Sequence, residues 1–321
     1  MTAVLTPEYV APERTARPAY RPFAATVVNT QALSPHFTRV TFTAQDFDVF
    51  GTAGLDQRVK LLFPNTHGDL NTCVATGREE DFLTWYHTWR ALPDTERCPM
   101  RTYTIRRVNH AAKTVDIDFV THGATGPGSA WALTARPGDP LILIGPDDRS
   151  TDWRTGLDWR PGGACRFLLA GDETAVPAIA SIIESLPFET KADVIMEIPT
   201  PDDQLDLTPS ADVTITWVPR NNQPHGHGLT EHVAAWANRH SALLQANASP
   251  MPQELTDIDV DSELLWESPE ALEDNYFYAW LAGESATVKT MRRTLVSDHG
   301  LDRRKVAFMG YWRQGRAENQ G

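Results

Sequence analysis

Apolar positions follow two different rhythms along this 321-residue chain, and the change of rhythm divides it. Between residues 25 and 145 they alternate with polar ones in short runs, the period of half-buried strands. Six strands are predicted: ATVVNTQAL from Ala25, FTRVTFTA from Phe37, RVKLLFP from Arg58, RTYTIR from Arg101, TVDIDFVTH from Thr114, and PLILIG ending at Gly145. In the fifth, Val115, Ile117 and Phe119 alternate with Asp116 and Asp118. Such a series predicts a small antiparallel β-barrel over 21–145. The mixed polarity of 65–100 reads as an insertion, with FLTWYHTWRAL as a short helix inside it.

The Asp-, Arg-, Gly- and Trp-rich stretch 146–164 reads as an inter-domain linker. Beyond it the rhythm becomes strand then helix. RFLLA turns through Gly171-Asp172-Glu173-Thr174 into a helix with Val176, Ile179, Ile183 and Leu186 on one face, for which Thr174 is a candidate cap. ADVIMEI, VTITWV, YFYAWLAG and KVAFMGYW supply further strands, and helices are expected over 230–240 and after Glu284. This alternation predicts a doubly wound α/β domain over 165–316. Residues 1–20 are expected to form a flexible arm, 317–321 a tail, and the acidic stretch 241–275 a solvated excursion.

A net charge of −13 argues against nucleic-acid or anionic-membrane partners, because both surfaces would repel the average field. There is no apolar run long enough to span a bilayer and no basic-then-apolar leader, so a cytoplasmic protein without stable membrane association is expected. Three widely spaced cysteines without a CxxC exclude the usual iron–sulfur and zinc patterns. His225 and His227 are the only close histidine pair, and a loop is the simpler account of them than a metal site. Any redox cofactor is therefore organic.

Candidate chemistry sits at three places. On the Arg101–Arg106 strand, Arg101 and Tyr103 share one face while Thr102, Thr104 and Arg106 share the other. That offers a ring for stacking and cations for phosphate, as a flavin dinucleotide requires, although a solvated edge strand would look similar. His122-Gly123-Ala124-Thr125-Gly126-Pro127-Gly128-Ser129 can bring backbone N–H groups and a hydroxyl to a pyrophosphate at a helix start, and reads otherwise as a simple turn. Gly310-Tyr311-Trp312-Arg313 places two aromatics and a cation at the carboxyl end of a strand, the side of an α/β sheet where ligands collect. Glu197 ends the second α/β strand, where a carboxylate can favour NADH, and Arg220 follows the third, where a cation can accept a 2′-phosphate.

The RxYTxR strand, the HGxxGPxSxWA loop, the LAGDETAxPAI turn, the AWLAGES strand with RRxL after it, and the terminal GYWRxG together resemble the siderophore-interacting protein family. These are ferredoxin-reductase-like flavoproteins, and the resemblance spans about residues 20–316. It implies an FAD-dependent ferric-siderophore reductase with an FAD-binding barrel and a nicotinamide-binding-type α/β domain. By motif, Arg101, Tyr103 and Thr104 would hold the isoalloxazine and phosphate, Val120 and His122 would border the flavin, and Gly128 and Ser129 would donate to pyrophosphate. Asp172, Thr174 and Trp312 would lie near the flavin, with Lys60, Arg313 and Lys305 attracting the ferric siderophore. The implied donor is NADPH, or NADH, with ferredoxin as the alternative partner. The chain departs from the family's usual HVKL by carrying Arg58, and from its usual GPAS by carrying Gly128. A different electron acceptor, or a binding module without turnover, are the competing functions.

Overall fold

A computed structural model describes residues 9–65, 67–70, 82–123, 126–253, 255, 258–260 and 263–315. It separates into two compact units, divided between Leu157 and Asp158.

The first unit contains β1 (Tyr20–Ala32), β2 (Phe37–Thr43), β3 (Arg58–Leu62), α1 (Phe82–Arg90), β4 (Met100–Thr104), β5 (Arg107–Asn109), β6 (Thr114–Val120), α2 (Pro127–Thr134) and β7 (Pro140–Pro146). Every strand pair is antiparallel, in the order β4-β3-β7-β1-β2-β6-β5. β4 and β5 lie at opposite edges of that order, yet only Ile105 and Arg106 join them. Thr104 and Arg107 are three residues apart and so no more than about 11 Å from each other, and the sheet must curl until its edges meet. Arg106 marks the meeting, its N–H donating to the Asp116 carbonyl of β6 at 3.0 Å. The alternating positions face inward as expected: Val115, Ile117 and Phe119 are fully buried beside Phe23, Phe42, Val59, Leu61 and Phe63. On the other face of β6, buried Asp118 accepts two hydrogen bonds from Arg39 at 2.7 and 2.8 Å and lies 3.6 Å from the Arg106 guanidinium.

Seven strands replace the six expected, because β5 has three residues and is too short to display an alternation. Residues 9–19 and 147–156 belong to this unit as well. Arg14 grips Asp148 at 2.6 Å, Thr15 donates to the Arg149 carbonyl at 2.8 Å, and Asp147, Asp148 and Ser150 are buried. The described part of the expected arm is tied to this unit by these bonds while its side chains stay largely exposed, and the first residues of the expected linker are buried chain, held by ion pairs that hydropathy does not register. Residues 1–8 and the tail 317–321 lie outside the described residues.

The second unit contains β8 (Arg166–Gly171), α3 (Val176–Glu184), β9 (Lys191–Ile198), β10 (Asp212–Pro219), α4 (His227–Arg239), α5 (Ser241–Ala246), β11 (Trp266–Glu267), β12 (Phe277–Glu284), α6 (Ser285–Arg292), a π-helical turn over Arg293–Asp298, and β13 (Val306–Trp312). Its sheet runs β10-β9-β8-β12-β13-β11, parallel except for β11. All eight residues of β12 are buried, as a central strand covered on both faces demands. The strand order reverses between β8 and β12, which makes their carboxyl ends the switch point where open sheets bind ligands. The acidic stretch is only partly an excursion: it supplies α5, the edge strand β11, and Leu265, 1% exposed, to the core.

Candidate flavin cradle and carboxyl edge

β4 is placed by β3. Their register sets Tyr103 opposite Val59 and Arg101 opposite Leu61 on one face, with Thr102 opposite Lys60 and Thr104 opposite Arg58 on the other. The Tyr103 ring packs against Phe119 at 4.5 Å between centroids and edge-on to Phe63 at 6.4 Å. Trp131 of α2 adds a third contact, 5.5 Å from Phe63 and 5.8 Å from Phe119. One aromatic cluster therefore fixes both the tyrosine and the helix. Arg101 is half-buried and donates to the Met100 carbonyl at 2.7 Å; Lys60 reaches the Thr102 hydroxyl at 3.3 Å. Arg106, on the opposite face of the motif, has its guanidinium turned to Asp118.

α2 begins at Pro127, with Gly126 extended before it. The first helical bond runs from Ala130 N–H to Gly126 O, which leaves the N–H groups of Gly128 and Ser129 without intrahelical partners. A methyl group on Gly128 would stand 2.1 Å from the Tyr103 hydroxyl and 3.3 Å from its Cζ. Glycine here thus lets the tyrosine seat against the helix start, and the departure from GPAS is a fit to Tyr103. The Ser129 hydroxyl accepts from His122 N–H at 3.0 Å and donates to Gly123 O at 2.6 Å. Its proton, expected to face pyrophosphate, closes the loop instead. Val120 ends β6 opposite Phe37, and His122 is exposed just beyond it.

In the second unit the switch point is filled by Asp172. Its carboxylate accepts from Thr174 N–H at 2.9 Å, the Thr174 hydroxyl, Glu284 N–H at 2.7 Å and the Trp312 indole at 2.9 Å. This one group ties the ends of β8, β12 and β13. Thr174, expected to cap α3, turns back onto Asp172, and Ala175 takes the cap position. Burial, then the neighbouring Glu173 charge, push the Asp172 carboxyl up to about 7 against the pull of its donors. Its proton belongs on Oδ1, because the Thr174 hydroxyl alone among the partners can reverse and accept. Gly283, at φ +143°, is required alongside: a Cβ there would lie 2.5 Å from Asp172 Oδ2. Trp312 is further held by His225, whose ring meets it edge-on at 5.1 Å. Tyr311 packs instead on Trp266 and Trp280.

Glu173 and Glu197 are fully buried and share Arg220, which forks onto Glu173 at 2.8 and 2.9 Å and reaches Glu197 at 3.3 Å. Glu197 also accepts from Gly226 and Leu229 N–H at 2.8 and 3.1 Å, at the start of α4. Two sequence expectations are corrected here. Arg220 is committed to carboxylates rather than open to a 2′-phosphate, and Glu197 caps a helix rather than facing a ribose. His225 completes an acidic trio with Glu173 and Glu197, but the Arg220 guanidinium already supplies the positive charge a metal ion would bring.

Arg313 follows the carboxyl end of β13 and donates to the Glu263 carbonyl. It borders a cavity of about 440 Å³ with His225, Thr230, Glu284, Thr287 and Gln314. Lys305 precedes the amino end of the same strand and donates to Asn247 at 2.9 Å. The seven residues of β13 carry the chain roughly 23 Å, so Lys305 and Arg313 cannot meet one substrate, and Lys305 is removed from the site.

A curled antiparallel unit followed by a doubly wound sheet is the fold of ferredoxin reductases: a ferredoxin NADP+ reductase from Neisseria gonorrhoeae superposes with a TM-score of 0.52 at 15% identity, covering 91% and 99% of the two chains. The chain belongs to the siderophore-interacting protein family: residues 26–150 match the siderophore-interacting FAD-binding domain and 164–315 the siderophore-interacting protein domain. It is 30% identical over 293 residues to the ferric vibriobactin reductase ViuB of Vibrio cholerae, covering 91% of this chain and 89% of that one. A siderophore utilization protein from T. fusca superposes with a TM-score of 0.65 at 28% identity, covering 95% and 98% of the two chains. The siderophore-interacting protein SipS of Aeromonas hydrophila gives 0.60 at 26% identity, covering 94% of each.

Proposed function

We propose that this protein is a ferric-siderophore reductase that passes electrons from NAD(P)H through FAD to Fe(III), releasing Fe(II) in the cytoplasm. The likeness to ViuB across both units is the observation that carries this reading. Bound FAD accepts an electron pair and releases electrons singly, which matches a hydride donor to a one-electron acceptor. The residues present fit it: Gly128 leaves room for the Tyr103 ring at the start of α2.

In this reading Tyr103 supports the isoalloxazine and Arg101, on the same face, pairs with phosphate. Val120 and His122 border the cofactor, and Thr104 steadies β4 from its opposite face. Within the α/β unit Trp312 is fastened by Asp172, and Thr174 completes that anchor. Lys60 and Arg313 each offer a cation to an anionic ferric chelate in a protein whose average field repels it. No side chain has to move a proton for this chemistry. Reduction also weakens the chelate, because hard oxygen ligands favour the ferric ion.

The test is the visible spectrum of the purified protein under anaerobic conditions. Flavin bands should bleach on adding reduced nicotinamide and return on adding a ferric catecholate, with Fe(II) trapped by ferrozine. A protein that takes up no FAD, or whose reduced flavin is not reoxidised by any ferric chelate, sinks the proposal.

A further inference from the structure

Open sheets grip dinucleotides at their carboxyl edge, where free N–H groups at helix starts and nearby cations meet the phosphates. In this α/β unit several of those groups are already bound to the protein's own carboxylates. Glu197 takes the N–H groups of Gly226 and Leu229 at the start of α4. Glu284 takes Thr287 N–H at 2.9 Å at the start of α6. Before α3, Asp172 and Glu173 are both buried. The guanidinium at the end of β10, Arg220, is 9% exposed and divided between Glu173 and Glu197.

The Glu173–Arg220–Glu197 group therefore carries a net charge of −1 at the strand ends where an adenosine ribose is read. The titratable groups around it do not reverse that sign. His225 lies 3.9 Å from Glu173, and His227 lies 3.6 Å from Glu231. Arg313 borders the cavity that His225 and Gly226 line, but the Glu284 carboxylate lines it too and offsets its charge. A 2′-phosphate adds about two negative charges to the donor.

We infer that this unit selects NADH against NADPH, and that the Glu173–Arg220–Glu197 triad is what excludes the 2′-phosphate. The inference rests on the proposal that a nicotinamide is the donor. Glu173 is the positioning residue: it holds both terminal nitrogens of Arg220 and keeps that cation from a ligand.

The test uses the FAD-loaded protein. Anaerobic flavin reduction should give a kcat/KM for NADH at least about tenfold above that for NADPH, the ratio set by about 1.4 kcal/mol. By calorimetry, 5′-ADP should bind more tightly than 2′,5′-ADP. Glu173→Gln, which releases one arm of Arg220, should bring the NADH/NADPH ratio to about twofold or below. Adding Arg220→Gln to it should restore the wild-type ratio; a triad that only stabilises the fold would move the melting temperature and leave the ratio unchanged. FAD absorbance and circular dichroism report folding in each variant. NADPH reducing the flavin as fast as NADH, or a ratio unmoved by Glu173→Gln, overturns the inference alone. Reduction by neither nucleotide overturns the nicotinamide reading as well.

Discussion

Gly128→Ala isolates the contact between Tyr103 and the start of α2. The added methyl group would meet the Tyr103 hydroxyl at 2.1 Å, Tyr103 Cζ at 3.3 Å and Phe63 Cζ at 3.4 Å. The last two distances need only small shifts, whereas the first requires the ring or the helix start to move by about an ångström. The ring has little freedom, being packed on Phe119, and the helix is fixed by Trp131. Overpacking of this kind costs about 1–3 kcal/mol. Alanine's better helix propensity offsets up to about 1 kcal/mol of that, leaving a net loss of about 1–2 kcal/mol. If Tyr103 must be seated for FAD to bind, the same loss appears in retention, as roughly a 5- to 30-fold weaker Kd. Flavin fluorescence on titrating the apoprotein reads the affinity, and denaturant unfolding reads the stability. Gly128→Ala combined with Tyr103→Phe removes the 2.1 Å contact and should recover most of both losses, a coupling that a double-mutant cycle measures. Wild-type FAD affinity in Gly128→Ala, or no recovery in the double variant, would refute the steric account.

Three further outcomes are expected. Asp172 titrates near 7 in the folded protein and near 3.8 unfolded, so the folded state holds the extra proton between those values. Its contribution to stability is therefore greatest at the acid end and is lost as pH rises toward 7; urea unfolding from pH 4.5 to 7.5 should show Asp172→Asn with a flatter profile than wild type, and parallel profiles would contradict the shift. Arg220→Ala leaves Glu173 and Glu197 buried without a counter-charge, and chemical denaturation should show a loss of about 3–5 kcal/mol. Lys305→Ala should lower stability by no more than about 1 kcal/mol and leave ferric-chelate reduction unchanged, whereas Arg313→Ala should lower kcat/KM for anionic chelates at low salt; equal effects of the two would undo the assignment.

The sequence by itself determined the order of the longer strands and helices, because the period of two in Val115–Ile117–Phe119 and the helical spacing of Val176–Ile179–Ile183 are dictated by which side chains must leave water. It also marked Tyr103 and Gly128, which the fold brings together. What it left open were pairings between side chains far apart in the chain. Arg220 looks like a surface cation until Glu173 and Glu197, 47 and 23 residues away, are seen to enclose it. Lys305 and Arg313 look adjacent until the strand between them sets them at opposite ends of the sheet. Gly128 looks permissive until the Tyr103 hydroxyl is found where its side chain would be. Periodicity encodes burial, a property of one residue at a time. Charge neutralisation and steric fit are properties of pairs, and only the tertiary structure decides the pairs.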